Sequence, residues 1–354
     1  MKKSGFIIAY IGLFFALCLL PALGMAVFGP SPLLANESAP RTPALFSRDG
    51  ALNGEFLIDA ANYAETRFAF RPQLVSARSF LYEKLLHSSA EPQVVLGREG
   101  ELFYASTLDD YSGIGLSDAE LRQIAAHLKA IQDSLEARGI RFVFAVAPNK
   151  NSVIPDFMPG RFPENLSGSN ASRLLPIFRE AGVQSVDLHT PLAGRQDLYY
   201  RTDSHWTAEG AALAADTLLS ALGRDPAFFS GPFAEDGKHV GDLYQMLYPT
   251  GNGREAERVY VPGFTYETAS DPRGGNAITI RTTSETGTGR LYCLRDSFGI
   301  ALYPYLAESF ASAEFSRSAD YSPAAFEQVD ADTVILEIVE RNLAQLLPEG
   351  DSAA

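Results

Sequence analysis

The sequence predicts an α/β fold in which helices cover both faces of a parallel sheet. Two short segments, Arg141–Ala147 and residues 333–338, are almost continuously apolar, which is typical of strands buried on both faces. Segments with helical periodicity lie between the predicted strands, as expected when crossover helices connect parallel strands. Ligands of such sheets bind beyond the carboxyl ends of the strands. The residues that follow each strand are therefore the first candidates for a functional site.

Local signals place the elements along the chain. A capping box of Ser117 and Glu120 begins the clearest helix, which continues to Leu135 and stops at Gly139. The other predicted elements are, in chain order, a helical region at 54–87, a strand–turn–strand at 94–104, a helix at 170–181, a strand at 183–188, a helix from Thr207 to Leu222, and a strand at 291–294 followed by a helix that begins near Ser297. This alternation favours a parallel sheet over an all-helical or all-strand fold.

Composition limits the class of protein. The chain has 354 residues, of which 46% are hydrophobic and 20% charged, so it can bury a sizeable core. Its formal net charge of −14 argues against a nucleic acid partner and against docking on an anionic membrane surface. The two cysteines are Cys18 in an apolar run and Cys293 in a predicted strand, so no disulfide framework is expected.

The N-terminal segment predicts a membrane anchor. Lys2 and Lys3 precede a run of about 24 apolar or small residues, long enough to cross a hydrocarbon core of about 30 Å. Positive charge ahead of the run keeps the lysines in the cytoplasm and puts the rest of the chain outside. An uncleaved anchor is favoured over a signal peptide cleaved near Gly24 or Ala26, because signal peptides usually have a shorter apolar region.

The expected layout has three parts. Residues 1–27 are the anchor or signal, 28–50 are a proline-rich linker, and 51–350 are one domain in which 51–93 form a helical lead-in. We therefore expect a single-pass protein of the cytoplasmic (inner) membrane whose domain lies in the periplasm or outside the cell.

Ser297 follows the predicted strand at 291–294, in the phrase Arg295-Asp-Ser-Phe-Gly299. A serine at this junction exposes its hydroxyl at the sheet edge, among free N–H groups of the helix start that can stabilise an oxyanion. The alternative is that Ser297 only caps the helix, since serine is a preferred N-cap residue. Taken alone, the position favours the cap.

Asp203 and His205 lie two residues apart in an extended stretch ahead of a helix, so both side chains can point the same way. A carboxylate that holds one imidazole nitrogen leaves the other free to take a proton from a serine. The Asp-x-His pattern by itself carries almost no information, because chance supplies it often. Metal ligation is a further alternative, but the other histidines are scattered, and no metal is expected.

Taken together, several phrases resemble the ALGX/DHHW-type branch of the SGNH hydrolase-like proteins, which includes the alginate O-acetylation proteins. The resemblance covers most of residues 55–345. The phrases that carry it are Arg67-Phe-Ala-Phe-Arg71, Val94-Val-Leu-Gly-Arg-Glu-Gly-Glu-Leu-Phe-Tyr104, Ala147-Pro-Asn-Lys150, Thr202-Asp-Ser-His-Trp-Thr207, Gly241-Asp-Leu243, Arg295-Asp-Ser-Phe-Gly299 and Val334-Ile-Leu-Glu-Ile-Val-Glu-Arg341. The Asp/His pair precedes the serine here, the reverse of typical SGNH enzymes and the order of this circularly permuted branch.

The resemblance implies a three-layer, flavodoxin-like SGNH fold and a catalytic triad. In it Ser297 is the nucleophile, His205 the general base and Asp203 the residue that orients the base. Arg295 stands where the broader superfamily has glycine, and it also occurs in relatives of this branch. The remaining candidates for oxyanion or substrate contact are Asn149, Lys150, Tyr200, Trp206 and Arg295. A structural loop role for Asn149 or Lys150 is an equal alternative, and about half of the aromatic residues near the motifs are expected in the core.

The function implied is O-acetyl transfer to hydroxyls of an exopolysaccharide or cell-surface glycan through an acyl-serine intermediate. The resemblance also implies a membrane-embedded O-acyltransferase that supplies the acetyl groups, and no soluble cofactor. A carbohydrate acetylesterase would use the same residues with water as acceptor. A non-catalytic glycan-binding or assembly protein is the alternative outside enzymes. The acidic net charge makes a neutral glycan easier to accommodate than a polyanion.

Overall fold

The computed structural model describes residues 2–34, 37–47, 50–269 and 278–348. The chain divides into two compact units. One unit combines Met1–Val94 with Asp242–Gly253, and the other combines Val95–Gly241 with Arg254–Ala354. The single domain at 51–350 stays a prediction.

The helices predicted from sequence are present, together with four short helices of the described residues that were not predicted. In chain order they are α1 Lys2–Phe28, α2 Phe56–Arg67, α3 Arg71–Leu81, α4 Leu108–Tyr111, α5 Asp118–Glu136, α6 Lys150–Val153, α7 Asn170–Ala181, α8 His189–Leu192, α9 Ala208–Ala221, α10 Asp242–Leu247 and α11 Gly299–Ser309, and a π-helical turn Tyr82–Leu86 continues α3. The capping box of Ser117 and Glu120 at α5 is confirmed. Thr207 caps α9 by accepting the backbone N–H of Gly210.

The strands are short, and most belong to one sheet. They are β1 Val94–Leu96, β2 Leu102–Tyr104, β3 Arg141–Ala147, β4 Ser185–Val186, β5 Phe233–His239, β6 Glu255–Tyr260, β7 Glu267–Thr268, β8 Thr279–Thr283, β9 Arg290–Leu294, β10 Ser312–Ser316 and β11 Thr333–Val339. β1 pairs with β2, and β5 pairs with β6 in an antiparallel hairpin. The segment predicted as strand 183–188 is a strand only at β4, and the predicted strand–turn–strand at 94–104 is confirmed.

The main sheet has seven strands within the described residues, in the order β4-β3-β11-β9-β10-β8-β7. The strands from β4 to β10 in this order are parallel. β8 is antiparallel to β10, and β7 is antiparallel to β8, so the sheet is mixed rather than wholly parallel. Antiparallel neighbours need no crossover helix, which is why alternation of strands and helices did not predict this edge.

Helices cover both faces of the parallel part. Alternate residues of β11 enter two separate cores: Ile335 and Val339 face one, and Val334, Leu336 and Ile338 face the other. The first core includes buried residues of α9 and α11, and the second includes those of α5 and α7. This two-sided burial explains the continuous apolar character of the strand sequences and confirms the predicted α/β class.

The N-terminal helix α1 has the length and composition predicted for a membrane anchor. Its stretch Ile7–Phe28 has a mean hydropathy of 2.4 over 22 residues, and it is the one helix of the described residues long and apolar enough to cross a membrane. A signal sequence or a buried core helix can have the same composition. Cys293 on β9 is a buried free thiol, and the side chain of Cys18 lies outside the described residues.

Candidate active site

Ser297 lies between β9 and α11, at the carboxyl edge of the main sheet. The residue that directly precedes α11 is Phe298, and no side chain caps this helix start. The hydroxyl Oγ of Ser297 instead lies 2.9 Å from Nε2 of His205. The alternative in which Ser297 serves only as a helix cap is therefore not what the structure shows.

His205 connects Ser297 to Asp203. Its Nδ1 lies 2.7 Å from Oδ1 of Asp203, and the same oxygen accepts the backbone N–H of His205 at 2.9 Å. A carboxylate partner at Nδ1 puts the imidazole proton on that nitrogen, so Nε2 can accept the proton of Ser297. The three side chains thus form the continuous hydrogen-bonded chain that a nucleophilic serine requires.

A second imidazole binds the same carboxylate. Nε2 of His239, the last residue of β5, lies 2.8 Å from Oδ2 of Asp203, and its ring stacks on Tyr200 with 3.9 Å between centroids. Burial acts to lower the pKa of His239, but the bond to Asp203 and the nearby carboxylates outweigh it, and the pKa is raised. Sequence reasoning missed His239, because it lies 36 residues from Asp203 and reaches it only through the hairpin.

Trp206 lies in the core, which corrects its place among the candidates for substrate contact. Only 1% of its surface is exposed, and its indole N–H donates to the carbonyl of Phe298 at 3.1 Å. The ring of Phe298 in turn lies 4.7 Å from the ring of His205. Trp206 therefore supports the backbone beside Ser297 from within the core.

Lys150 is also committed to the protein. Its ammonium forms an ion pair of 2.6 Å with Glu101 and donates to the carbonyls of Leu102, Tyr200 and Arg201 at 2.7–2.9 Å. Burial lowers the pKa of Lys150, against the opposing effect of Glu101. Because its N–H donors bind these acceptors, Lys150 stabilises the segment Tyr200–Arg201 that precedes Asp203. Of the two alternatives for Lys150, this placement favours the structural role over contact with the oxyanion or the substrate.

Asn149 is buried like Lys150 but differs from it in the hydrogen bonds of its side chain. Only 1% of its surface is exposed, and its side-chain amide has no hydrogen-bond partner among the described residues. Its backbone N–H donates to Glu340 at 2.9 Å, which fixes the loop after β3. A buried amide without a partner costs about 1–3 kcal/mol, so Asn149 remains a candidate for contact with a bound ligand.

Two buried carboxyl groups hold the turn that carries Ser297 against β11. Asp296 accepts the backbone N–H groups of Phe298 at 2.8 Å and Val339 at 2.7 Å, and its own N–H donates to Glu337 at 3.2 Å. Burial, and then the charge of Asp296, raise the pKa of Glu337 well above its usual range. The pair therefore keeps a proton, which relieves repulsion between the two carboxyl groups.

Arg295 lies beneath this turn rather than in a substrate groove. It is 1% exposed, and one guanidinium nitrogen donates to the carbonyl of Asp296 at 2.9 Å. A side chain at Gly299 would come within 2.6 Å of the Arg295 side chain, so this position needs glycine for close approach. Arg295 is thus a packing residue of the turn, which corrects its place among the substrate candidates.

The aromatic residues near the motifs divide into core and surface. Tyr199 and Tyr305 are 3% and 2% exposed, and their hydroxyls donate to backbone carbonyls. Tyr200 is half-buried and lines a cleft of about 560 Å³ together with Glu255 and Arg258. Tyr200 therefore remains the aromatic candidate for substrate contact.

Comparison with known proteins identifies the family. The model of the family ALGX, the SGNH hydrolase-like domain of acetyltransferase AlgX, matches residues 94–277. The match covers just over half of the chain, and the protein belongs to this SGNH hydrolase-like acetyltransferase family. It includes Asp203, His205 and His239 and ends before Ser297.

Several curated relatives are named as probable alginate O-acetylases. The chain is 26% identical over 205 residues to the probable alginate O-acetylase AlgJ of Pseudomonas putida, covering 55% of this chain and 52% of that protein. It is 30% identical over 172 residues to the protein of the same name in Pseudomonas aeruginosa, covering 46% of this chain and 43% of that protein. The chain thus spans about half the length of the curated relatives it matches.

A solved structure shares the fold. PatB1 of Bacillus cereus, determined with a sulfonyl adduct, superposes with a TM-score of 0.54 at 17% identity, covering 72% of this chain and 100% of that one. At this identity the likeness establishes the fold, which agrees with the SGNH-like sheet described above.

Proposed function

We propose that this protein is an extracytoplasmic O-acetyltransferase that moves acetyl groups to hydroxyls of an exopolysaccharide or cell-surface glycan. Membership of an acetyltransferase family supports the reaction class. The single observation that carries the proposal is the chain of short contacts from Ser297 through His205 to Asp203 at the carboxyl edge of the sheet.

The proposed reaction has two halves. Oγ of Ser297 attacks the carbonyl carbon of a donor acetyl ester while Nε2 of His205 takes the hydroxyl proton. The tetrahedral intermediate expels the donor alcohol, which receives that proton, and leaves acetyl-Ser297. A sugar hydroxyl then gives its proton to His205 and attacks the acetyl-serine, and the serine is released with its proton restored. Asp203 stabilises the imidazolium in both halves.

The oxyanion needs donors that are free before substrate binds. The buried amide of Asn149 meets this requirement, since no described residue occupies it. Asn149 follows β3, and Ser297 follows β9, with β11 between these two strands. Both residues therefore lie at the carboxyl edge of the same sheet.

The proposed extracytoplasmic location determines which kind of acetyl donor the enzyme can use. If α1 crosses the cytoplasmic membrane with Lys2 and Lys3 inside, the catalytic unit lies on the side without acetyl-CoA. A membrane-embedded O-acyltransferase is then the source of acetyl groups. Added protease should digest the chain beyond residue 50 in intact spheroplasts, whereas complete protection of the domain would contradict this topology.

The decisive experiment measures acetyl release from a chromogenic ester by the full chain. We expect Ser297→Ala to abolish turnover while the melting temperature stays almost unchanged, because the hydroxyl contacts only His205 among the bonds described for it. Ser309→Ala, on α11, is the matched control, since its hydroxyl bonds only the carbonyl of Tyr305 within its own helix. Turnover at the wild-type level in Ser297→Ala would refute the mechanism, whereas absence of turnover in the wild-type chain would favour a glycan-binding role.

The acceptor is tested separately. With an oligosaccharide present, a transferase forms acetylated sugar in competition with free acetate, whereas an acetylesterase forms acetate alone. A neutral and a uronate oligosaccharide should be compared, because the net charge of −14 disfavours a polyanion.

A further inference from the structure

The outer face of α3 and its π-helical extension is apolar. At 100° per residue, Phe70, Leu74 and Leu81 lie within an arc of roughly 40°, and Leu85 extends the row in the π-helical turn. Between 41% and 71% of the surface of each of these four residues is exposed. We call this row the apolar stripe. Its length of about 22 Å follows from 15 residues at 1.5 Å each.

The opposite face of the same helix is the packed one. Pro72 and Ser79 are buried there, Ser76 accepts the backbone and side-chain donors of Thr250 at 3.2 and 2.9 Å, and Glu83 accepts the hydroxyl of Tyr248. α3 is therefore oriented with its polar side inward and its apolar side outward, the reverse of a helix on the surface of a soluble protein. A row of this kind marks a site of contact.

The stripe begins where α1 ends. The ring of Phe70 contacts the ring of Phe28 at 5.8 Å, and a side chain at Gly24 would come within 2.8 Å of that ring and within 2.6 Å of Ala69. The backbone N–H of Ser31 donates to the carbonyl of Arg67 at 2.8 Å. These contacts hold the corner between α2 and α3 against the last turn of the apolar helix.

The backbone of this corner is also strained, and an ion pair holds it in place. Phe70 has a positive φ of 65°, which is uncommon for a bulky residue and costs about 1–3 kcal/mol. Arg71 next to it forms two hydrogen bonds to Glu37, at 2.8 and 2.6 Å. A strained residue persists only where its surroundings determine it, so the start of the stripe is held at the end of α1.

Local charge permits contact with lipid despite the acidity of the whole chain. Residues 56–86 contain three acidic and four basic side chains, whereas the chain as a whole carries −14. Arg78 lies over the ring of Tyr82 at 5.3 Å, beside the stripe. Basic and aromatic residues that flank an apolar row are typical of helices in the interface of a bilayer.

We infer that the apolar stripe lies in the headgroup and upper acyl region of the bilayer that α1 crosses. The inference rests on the membrane span proposed above. An interfacial helix buries its apolar face about 5–10 Å into this region, which suits an exposed apolar row that begins beside the last turn of α1. The stripe would then fix the orientation of the α2–α3 unit on the membrane surface, which a flexible linker alone does not do.

The test uses tryptophan fluorescence of the full chain in phosphatidylcholine nanodiscs. The chain has one tryptophan, Trp206, which is 1% exposed and supplies a constant background. Leu85→Trp adds a reporter on the stripe, and Leu81→Trp a second one. Ile114→Trp is the matched control, because Ile114 is 65% exposed and belongs to the other unit.

Lipids brominated in the acyl chain should quench the added emission of Leu85→Trp and Leu81→Trp at least about twofold, given the shallow burial of such helices. Iodide in the water should quench only Ile114→Trp. Stripe reporters quenched by iodide and not by lipid lie in water, and that result overturns the inference. Reporters shielded from both quenchers are covered by a second copy of the chain, which also overturns it.

Failure of the span is recognised separately. A chain that does not enter nanodiscs lacks the proposed span, and the inference falls with it, whereas an inserted chain with water-exposed reporters keeps the span and loses only the stripe. Hydrolysis of the chromogenic ester by each variant reports Ser297 independently of both results.

Discussion

The carboxyl ends of β9 and β3 carry Ser297 and Lys150, two polar residues that sequence position marks equally as site candidates. Ser297 is partly exposed and contacts His205. Lys150 is 4% exposed and is surrounded by Glu101 and three carbonyl oxygens. A position at a strand end brings a polar side chain to the edge of the sheet where ligands bind. The number of its hydrogen bonds and ion pairs within the protein then decides whether it is open to a substrate or has a structural role.

After Ser297→Ala, the largest effect is expected at Asp203. Asp203→Asn should lower the rate of ester cleavage by about 10⁴, because the amide no longer holds His205 in the tautomer that accepts a proton from Ser297. Steady-state kinetics with the chromogenic ester measure it, and Asp197→Asn, at an exposed carboxylate, is the control. A loss of rate smaller than tenfold would contradict the proposed catalytic role of the hydrogen bonds from Ser297 through His205 to Asp203. Combined with Ser297→Ala, the substitution should add no further loss.

At the other strand end, Lys150→Met should reduce the free energy of unfolding by about 3–5 kcal/mol, because it leaves Glu101 buried without its cation. Urea denaturation measures this loss. The surface substitution Lys129→Met should cost less than about 1 kcal/mol. Adding Glu101→Gln to Lys150→Met should restore part of the stability. A stable Lys150→Met protein with impaired catalysis would instead return Lys150 to the active site.

Between these strands, Glu340 follows β11 and faces Asp110 of α4. Burial, and then the charge of Glu340, raise the pKa of Asp110 to about 8. From about pH 4, the usual pKa of aspartate, up to pH 8, the folded chain holds a proton that the unfolded chain releases. Stability from this group is therefore complete below pH 4 and is lost as the pH rises through 8.

Asp110→Asn should remove that pH dependence, which for one proton is at most about 1.4 kcal/mol per pH unit. Unfolding free energies at pH 5 and pH 8 measure the slope, with exposed Asp109→Asn as the control on the same helix. Equal slopes in wild type and Asp110→Asn would show that Asp110 ionises in the folded protein as it does in the unfolded chain.

The smallest effect is expected at His239, which binds the same carboxylate as His205. His239→Leu removes a donor to Asp203, and a hydrogen bond to a charged group contributes about 1.5–3 kcal/mol. We expect kcat to fall about tenfold, with KM unchanged. His239→Gln, which keeps a donor, should restore most of the rate. If both variants lose the same activity, the ring is needed for packing on Tyr200 rather than for the bond.

Local signals in the sequence were sufficient for much of the fold. The capping box at Ser117, the apolar strands β3 and β11, and the helix begun by Thr207 all depend on neighbours within a few residues. The antiparallel edge of β7 and β8 was not predictable in the same way, because it is decided by pairing across the sheet. Register and direction are properties of two strands, and one strand does not contain them.

The site divides in the same manner. Motif order and the resemblance selected Asp203, His205 and Ser297 from the sequence by itself, and their residue types suit proton transfer and nucleophilic attack. Only the tertiary structure decided that Lys150, Trp206 and Arg295 are buried, and that His239 joins Asp203. The physical reason is that burial and hydrogen-bond partners come from residues distant in the chain, whereas a motif records only which groups are present.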